Sequence, residues 1–282
     1  MKRIKVGGVP EHFNLPWHLC IEDGNFKNNG IDVAWQDFPD GTGAMCKALR
    51  NKEIDVAVIL TEGIVKDILN GNEAVIVQEY IASPLIWGIH VAAGSSFRTM
   101  EDLRNETVAI SRYGSGSHLM AYVNARNLGW DPAQLKFEVV GDINGAITAL
   151  DNGTAGYFMW EHFTTKPLVD NGTFRRIADC PTPWSCFVIA VRKEIMEKSA
   201  ASIINMLKTL NKVTSEFKEI PKIEVALAKK YDQKVEDIEQ WLQITQWSQK
   251  QISVQEIQKV QEQLHELDLI DKMEENLHFL PR

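Results

Sequence analysis

The chain has 282 residues, 44% hydrophobic and 24% charged, with 30 Lys and Arg against 38 Asp and Glu. A net charge of −8 with no basic run beyond a pair excludes nucleic acid as the partner, because that binding draws on clustered Lys and Arg. No apolar run approaches the ~20 residues of a membrane span, and Cys20, Cys46, Cys180 and Cys186 make neither a C-x-x-C pair nor a metal-like spacing with histidine.

The first 83 residues alternate short apolar strands with helical segments: "RIKVGGV", a helix around "WHLCIEDG", "IDVAWQDF", "TGAMCKALRN", "IDVAVIL", "TEGIVKDILNG" and "AVIVQEYIA". This is the pattern of βαβ units around a mainly parallel sheet, and Val and Ile on both parities predict strands covered on both faces. The N-terminus enters the first strand without the apolar segment of about 7–15 residues that a secretion signal carries. A cytoplasmic protein is therefore expected from the sequence as it stands, and a periplasmic one if a signal was removed.

From residue 84 the alternation restarts with "LIWGIHVAA", "TMEDLRN", "TVAISRY", "HLMAYVNARNLG", "LKFEVVG", "NGAITALDNG", "AGYFMWEHF", "KPLVDNG" and "FRRIA". The stretches "DGTGAMCKALRN" and "DINGAITALDN" are weakly similar and suggest two lobes of related build. After the Pro-rich turn of "PTPWSCFVIAVRKE" the chain becomes helical, with apolar spacing over 194–219, 221–231, 235–249 and 253–270. The expected organisation is a discontinuous first lobe, 1–83 plus 184–282, and a second lobe, 84–183, with a hinge where "YIASPLI" and 181–183 cross.

In open parallel sheets, ligands bind beyond the carboxyl ends of the strands. That rule selects Glu11, His12, Phe13, Asn14 and Trp17 after the first strand, Gly41, Thr42 and Gly43 after the second, and Thr61 and Glu62 after the third. In the second lobe it selects the corner "SRYGSGSH", with Arg112, Tyr113, Gly114, Ser115, Gly116, Ser117 and His118, then Asn144, Trp160 and Glu161. The glycines permit close backbone approach, and the serines with the first-turn N–H groups are donors suited to a carboxylate, sulfonate or phosphate. Arg112 adds a charge-assisted bond. Ser83 and Trp184 flank the expected hinge, with Tyr80 and Trp87 nearby, and aromatic rings there can stack on a planar ligand. The corner satisfies neither G-x-S-x-G nor the phosphate-loop pattern, so no catalytic residue is assigned. His12, His118, His162 and Glu62 lie on loops, but their spacing is no metal signature, and neither a metal nor a cofactor is expected.

Taken in order, "IKVGG", "QDFPDGTGAM", "NKEIDVAVI", "TMEDLRNETVAISRYGSGSH" and "ALDNGTAGYFMWEHF" resemble the type 2 periplasmic substrate-binding proteins of the alkanesulfonate, nitrate and taurine group, which includes thiamine-pyrimidine-synthase-like proteins. The resemblance spans about residues 3–192. It departs from the family pattern at Gly156, where an Asp is usual. It implies an α/β, two-lobed, periplasmic-binding-protein-like fold, each lobe a mainly parallel sheet flanked by helices, with the C-terminal helices packed on lobe 1. It also implies closure over a small polar or anionic solute, heteroaromatic ones included, and an ABC permease as partner if the chain is exported. The alternative on the same scaffold is an intracellular enzyme, thiamine-pyrimidine-synthase-like or menaquinone-pathway-like, although the C-C-C-F-C motif of the former is missing. A third class, a sensor using "VQEIQKVQEQLHELDLI" as a docking helix, competes with simple packing of that helix on lobe 1.

Overall fold

The computed structural model describes residues 2–274. In chain order the elements are β1 (Lys2–Gly8), α1 (Leu15–Glu22), α2 (Asn25–Asn28), β2 (Ile31–Asp37), α3 (Thr42–Arg50), β3 (Val56–Leu60), α4 (Thr61–Leu69) and β4 (Ala74–Ile81). There follow β5 (Ile86–Ala92), β6 (Thr107–Ile110), α5 (Gly116–Asn127), β7 (Lys136–Val139), α6 (Ile143–Asp151), β8 (Tyr157–Glu161), α7 (Lys166–Asp170) and β9 (Phe174–Pro181). The chain ends in β10 (Phe187–Arg192), α8 (Lys193–Glu216), α9 (Ile223–Tyr231), α10 (Val235–Ile244) and α11 (Val254–Glu266). Two compact units result, one from the chain up to Ser83 and again from Trp184, the other from Pro84–Pro183.

The sheet of the first unit runs β2-β1-β3-β10-β4, with β1 parallel to β2 and β3, and β10 antiparallel to both its neighbours. That of the second runs β7-β6-β8-β5-β9, with β6 parallel to β7 and β8, and β5 antiparallel to both its neighbours. The two orders are the same pattern. In it, β2–α3–β3 of one unit corresponds to β7–α6–β8 of the other, which accounts for the likeness of "DGTGAMCKALRN" to "DINGAITALDN": each opens a helix of nine residues after an edge strand. The loop after β1 and the Gly/Ser corner after β6 are likewise equivalent.

Burial follows the strand pattern. Val56 to Ile59 in β3 and Val188 to Val191 in β10 are fully buried, because helices cover both faces of the central strands. The amphipathic stripe Ile203, Met206 and Leu210 is buried in α8, which packs on α1 and β10, while α11 packs on α4. Packing on the first unit, not an exposed docking face, is thus the arrangement of α11. The helix expected over 235–249 ends at Ile244. Thr245 is already extended, and Trp247 forms a bridge with Ile81 at the end of β4, so sheet pairing takes the residues that the apolar spacing assigned to a helix. The helical segment expected at "TMEDLRN" is one short 3-10 turn, Glu101–Leu103.

Candidate functional site

At the carboxyl edge of the first sheet, the loop after β1 is closed down by aromatic rings. His12 packs at a tilt of 55° against Trp241 of α10, 4.2 Å between ring centres, and approaches Phe13 at 4.9 Å and Tyr231 of α9 at 6.0 Å. Burial holds the imidazole down at about 3, so it is neutral. Phe13 packs on Phe187 and Trp241, and Trp17 on Phe26, Trp35 and Tyr80. Asn14 donates through Nδ2 to the Val9 carbonyl at 2.8 Å. These four side chains, expected to line a ligand, are buried. For His12 and Phe13 the physical reason is that α9 and α10 return across the loop, a long-range contact that local spacing does not carry. Only Glu11 of the group is half-exposed. Tyr80, fully buried, donates its hydroxyl proton to the Phe13 carbonyl at 2.8 Å and so ties the loop to β4. Tyr80→Phe is expected to cost about 1 kcal/mol, read by chemical denaturation, since it leaves that carbonyl short of a donor.

The helix starts of this edge lie side by side. A Cβ at Gly63 would stand 2.2 Å from Thr42 Cγ2, so the first turns of α3 and α4 touch there. Gly41 takes a positive φ of 71° at the head of α3, Thr42 is half-buried and Gly43 exposed. Thr61 is spent: its hydroxyl donates to the Ser185 carbonyl at 2.6 Å and its N–H to the Cys186 carbonyl at 3.1 Å. Glu62 is buried and accepts from the Trp184 indole N–H at 2.9 Å, and burial pushes its carboxyl up to about 7. Trp184, expected to stack on a ligand, is 2% exposed and holds this carboxyl. Ser83 accepts the Gln246 N–H on its hydroxyl at 3.1 Å and the Cys186 N–H on its carbonyl at 3.2 Å.

At the corresponding edge of the second unit Ser111, Ser115, Ser117 and His118 are buried, and Arg112 and Tyr113 beside them are exposed. β6 ends at Ile110, Gly114 turns the chain with a φ of 77°, and Ser115 caps α5 by accepting the His118 N–H at 3.3 Å. His118 reaches back to accept the Gly114 N–H on Nδ1 at 3.1 Å, with its ring against Tyr113, Tyr122 and Phe137. Three hydroxyls form a row: Ser117 Oγ lies 3.0 Å from that of Ser115 and 3.4 Å from that of Ser111, and accepts the Ser111 N–H at 3.0 Å. Ser111 was not among the residues expected at the site, because it reads as the end of the strand. Gly116 and Ser117 head α5, so their N–H groups have no acceptor within the helix. Arg112 and Tyr113 are exposed, and among the described residues the Arg112 guanidinium has no ion-pair partner.

The loop after β7 joins this corner, the Gly141 N–H donating to the Ser111 carbonyl at 3.1 Å. It starts α6 under an Asp142 cap, with Asn144 exposed. A Cβ at Gly145 would stand 1.9 Å from the Val140 carbonyl oxygen, so this close approach requires glycine and sets the helix start against the strand end. After β8, Trp160 is half-buried and stacks on Phe158. Glu161 is buried and accepts from the Thr164 N–H at 2.6 Å and hydroxyl at 2.8 Å, and burial raises its carboxyl above the ordinary range. Glu161 therefore shapes its own turn. Ser117 is similarly committed, and Ser117→Ala is expected to cost about 1–2 kcal/mol of folding stability by orphaning the buried Ser111 N–H. Among the described residues no group of His, Cys, Asp and Glu is placed to hold a metal, and no helix is long and apolar enough to cross a membrane.

The family model for Ca3427-like periplasmic binding proteins matches residues 87–180. The Candida albicans CA3427 gene product, reported to define a family with the generic periplasmic-binding-protein fold, superposes with a TM-score of 0.90 at 23% identity, covering 100% of this chain and 96% of that one. The chain has the periplasmic-binding-protein fold. The same fold joins it to the alkanesulfonate-binding protein SsuA of Xanthomonas axonopodis pv. citri bound to MOPS, with a TM-score of 0.80, 15% identity, and coverage of 96% and 94%. PhnD1 of Prochlorococcus marinus in complex with methylphosphonate shares it at a TM-score of 0.66 and 12% identity, with coverage of 95% and 99%. No curated protein matches the sequence.

Proposed function

We propose that the protein is a solute-binding protein whose ligand carries a small oxyanion, received at the Gly/Ser corner of the second unit. The observation that carries this reading is the excess of donors there. Among the described residues the row Ser111, Ser117, Ser115 has three hydroxyl protons but only two hydroxyl contacts to use them, so one O–H at an end of the row remains to donate. The first-turn N–H groups of Gly116 and Ser117 and the guanidinium of Arg112, which has no ion-pair partner among the described residues, add to it. A group made only of acceptors, such as a sulfonate, a fully ionised phosphonate or a carboxylate, satisfies that set, whereas a neutral alcohol or amide does not.

The solved relatives that bind MOPS and methylphosphonate support the same ligand class. Closure on the solute, and an ABC permease as partner of an exported chain, belong to the same reading. The cysteine-dependent enzyme alternative draws no support from the thiols: all four are buried, and burial pushes those of Cys20 and Cys180 up to about 12 and about 11. The test is thermal-shift screening against paired solutes, methanesulfonate beside methanol, methylphosphonate and acetate beside acetamide. A rise in Tm with at least one anion and with no neutral partner supports the reading. Equal response to the neutral members, or none to any anion, contradicts it.

A further inference from the structure

Sheet register carries one further side chain to the Gly/Ser corner. β6 and β8 pair in parallel, with Val108 beside Tyr157 and Ala109 beside Phe158. Two residues on, the same register sets Trp160 beside Ser111, at the spacing of about 4.8 Å between neighbouring strands. Ser111 lies just past the end of β6, but its carbonyl accepts the Gly141 N–H at 3.1 Å and so it stays in line with the sheet. Residues two apart on a strand share a face. Ala109 and Phe158 are packed in one cluster with Ala146 and Ala149 of α6, and Trp160 packs against that cluster. The indole therefore stands on the same face as the Ser111 side chain, next to the hydroxyl row.

The ring is held in place and partly open. Phe158 stacks on it at 5.3 Å between ring centres with 23° between the planes, and Trp87 meets it edge-on at 6.5 Å and 70°. Trp87 is buried and its indole N–H is shut in, whereas Trp160 is half-buried. The Trp160 N–H is neither shut in nor hydrogen-bonded to another described residue. We infer that Trp160 is the specificity-determining residue of the corner: it selects an oxyanion carried on a planar ring over the same oxyanion carried on a methyl group. The inference rests on the corner being the oxyanion site. With the charged group at the hydroxyl row, the atoms attached to it reach toward β8, where a flat indole offers stacking and apolar area to a ring. A methyl group uses little of that surface, and an inorganic anion none.

The test is calorimetric titration of the whole chain with matched pairs: benzenesulfonate beside methanesulfonate, phenylphosphonate beside methylphosphonate, and benzoate beside acetate. For the anion that the corner takes, the ring member is expected to bind about 10-fold more tightly than the methyl member. Trp160→Leu brings the two affinities together by weakening the ring member and leaving the methyl member unchanged, and Trp160→Phe restores much of the difference. Equal affinity within the pair in the parent chain, or a preference that survives in Trp160→Leu, overturns the inference while leaving the corner as an oxyanion site. No binding of any of the six overturns both. Should Trp160→Leu fail to fold, nuclear Overhauser contacts between the ligand ring and the Trp160 indole in the unaltered protein decide. Their presence supports the inference, and a bound ring without them refutes it.

Discussion

The stability of a Glu62→Gln variant, relative to the parent chain, rises by about 3 kcal/mol between about pH 4 and about pH 8. The folded carboxyl ionises at about 7 and the ordinary one at 4.5. Between those values the folded chain keeps a proton that the unfolded chain has lost. Raising the pH through that window therefore favours unfolding, and the loss is complete above the folded value. The amide is never ionised and escapes this loss, while its carbonyl still accepts from Trp184. Burial is what makes the effect large: Glu62 is 3% exposed, and the indole bond and its own N–H do not offset the desolvation of the anion. Urea denaturation of both proteins across that range measures it. Parallel stability curves would show that Glu62 titrates as an ordinary glutamate.

Arg112→Ala is expected to weaken the favoured anion by about 10- to 100-fold, the equivalent of losing a charge-assisted hydrogen bond of about 1.5–3 kcal/mol. Its Tm without ligand stays that of the parent, because the side chain is exposed and ties nothing together among the described residues. Arg112→Lys keeps the charge but not the planar fork, so its affinity falls between the two. Added salt weakens binding to the parent and has a smaller effect on Arg112→Ala, because the screened attraction has been removed. Calorimetric titration reads both. Unchanged affinity in Arg112→Ala would leave the hydroxyl row and the helix start without a charged contribution.

The periodicity of the chain was enough to read the α/β class and the strand-to-helix corners, because those are local properties. Alternation of Val and Ile with Gly, Asp and Ser starts marks β1–α1, β2–α3, β6–α5 and β7–α6 without reference to the rest of the chain. The fate of individual side chains was not readable in this way. His12 and Phe13 read from the sequence as loop residues beside a ligand, and the covering of them by Trp241 and Tyr231, more than 200 residues away, is not a local property. Trp184 and Glu62 each read from the sequence as ligand-facing, and their bond to one another joins residues 122 apart, beyond the reach of local spacing. The same applies to Trp247, whose pairing with Ile81 ends a helix that its own neighbours favour. Ser111 escaped notice for a different reason. Its role depends on the Ser117 hydroxyl returning to it across the turn, in which Gly114 takes a positive φ.

Whether the Gly/Ser corner of the second unit receives the anion is open to direct measurement. An amide chemical-shift titration of the uniformly labelled protein with the anion that gives the largest thermal shift addresses it directly. Anion binding at the corner is expected to move the Gly116 and Ser117 N–H signals downfield, saturating together, with lesser changes at Ser111, Arg112 and Ser115. Saturable shifts at the α3 and α4 starts, around Thr42 and Gly63, with the α5 signals unmoved, would contradict it.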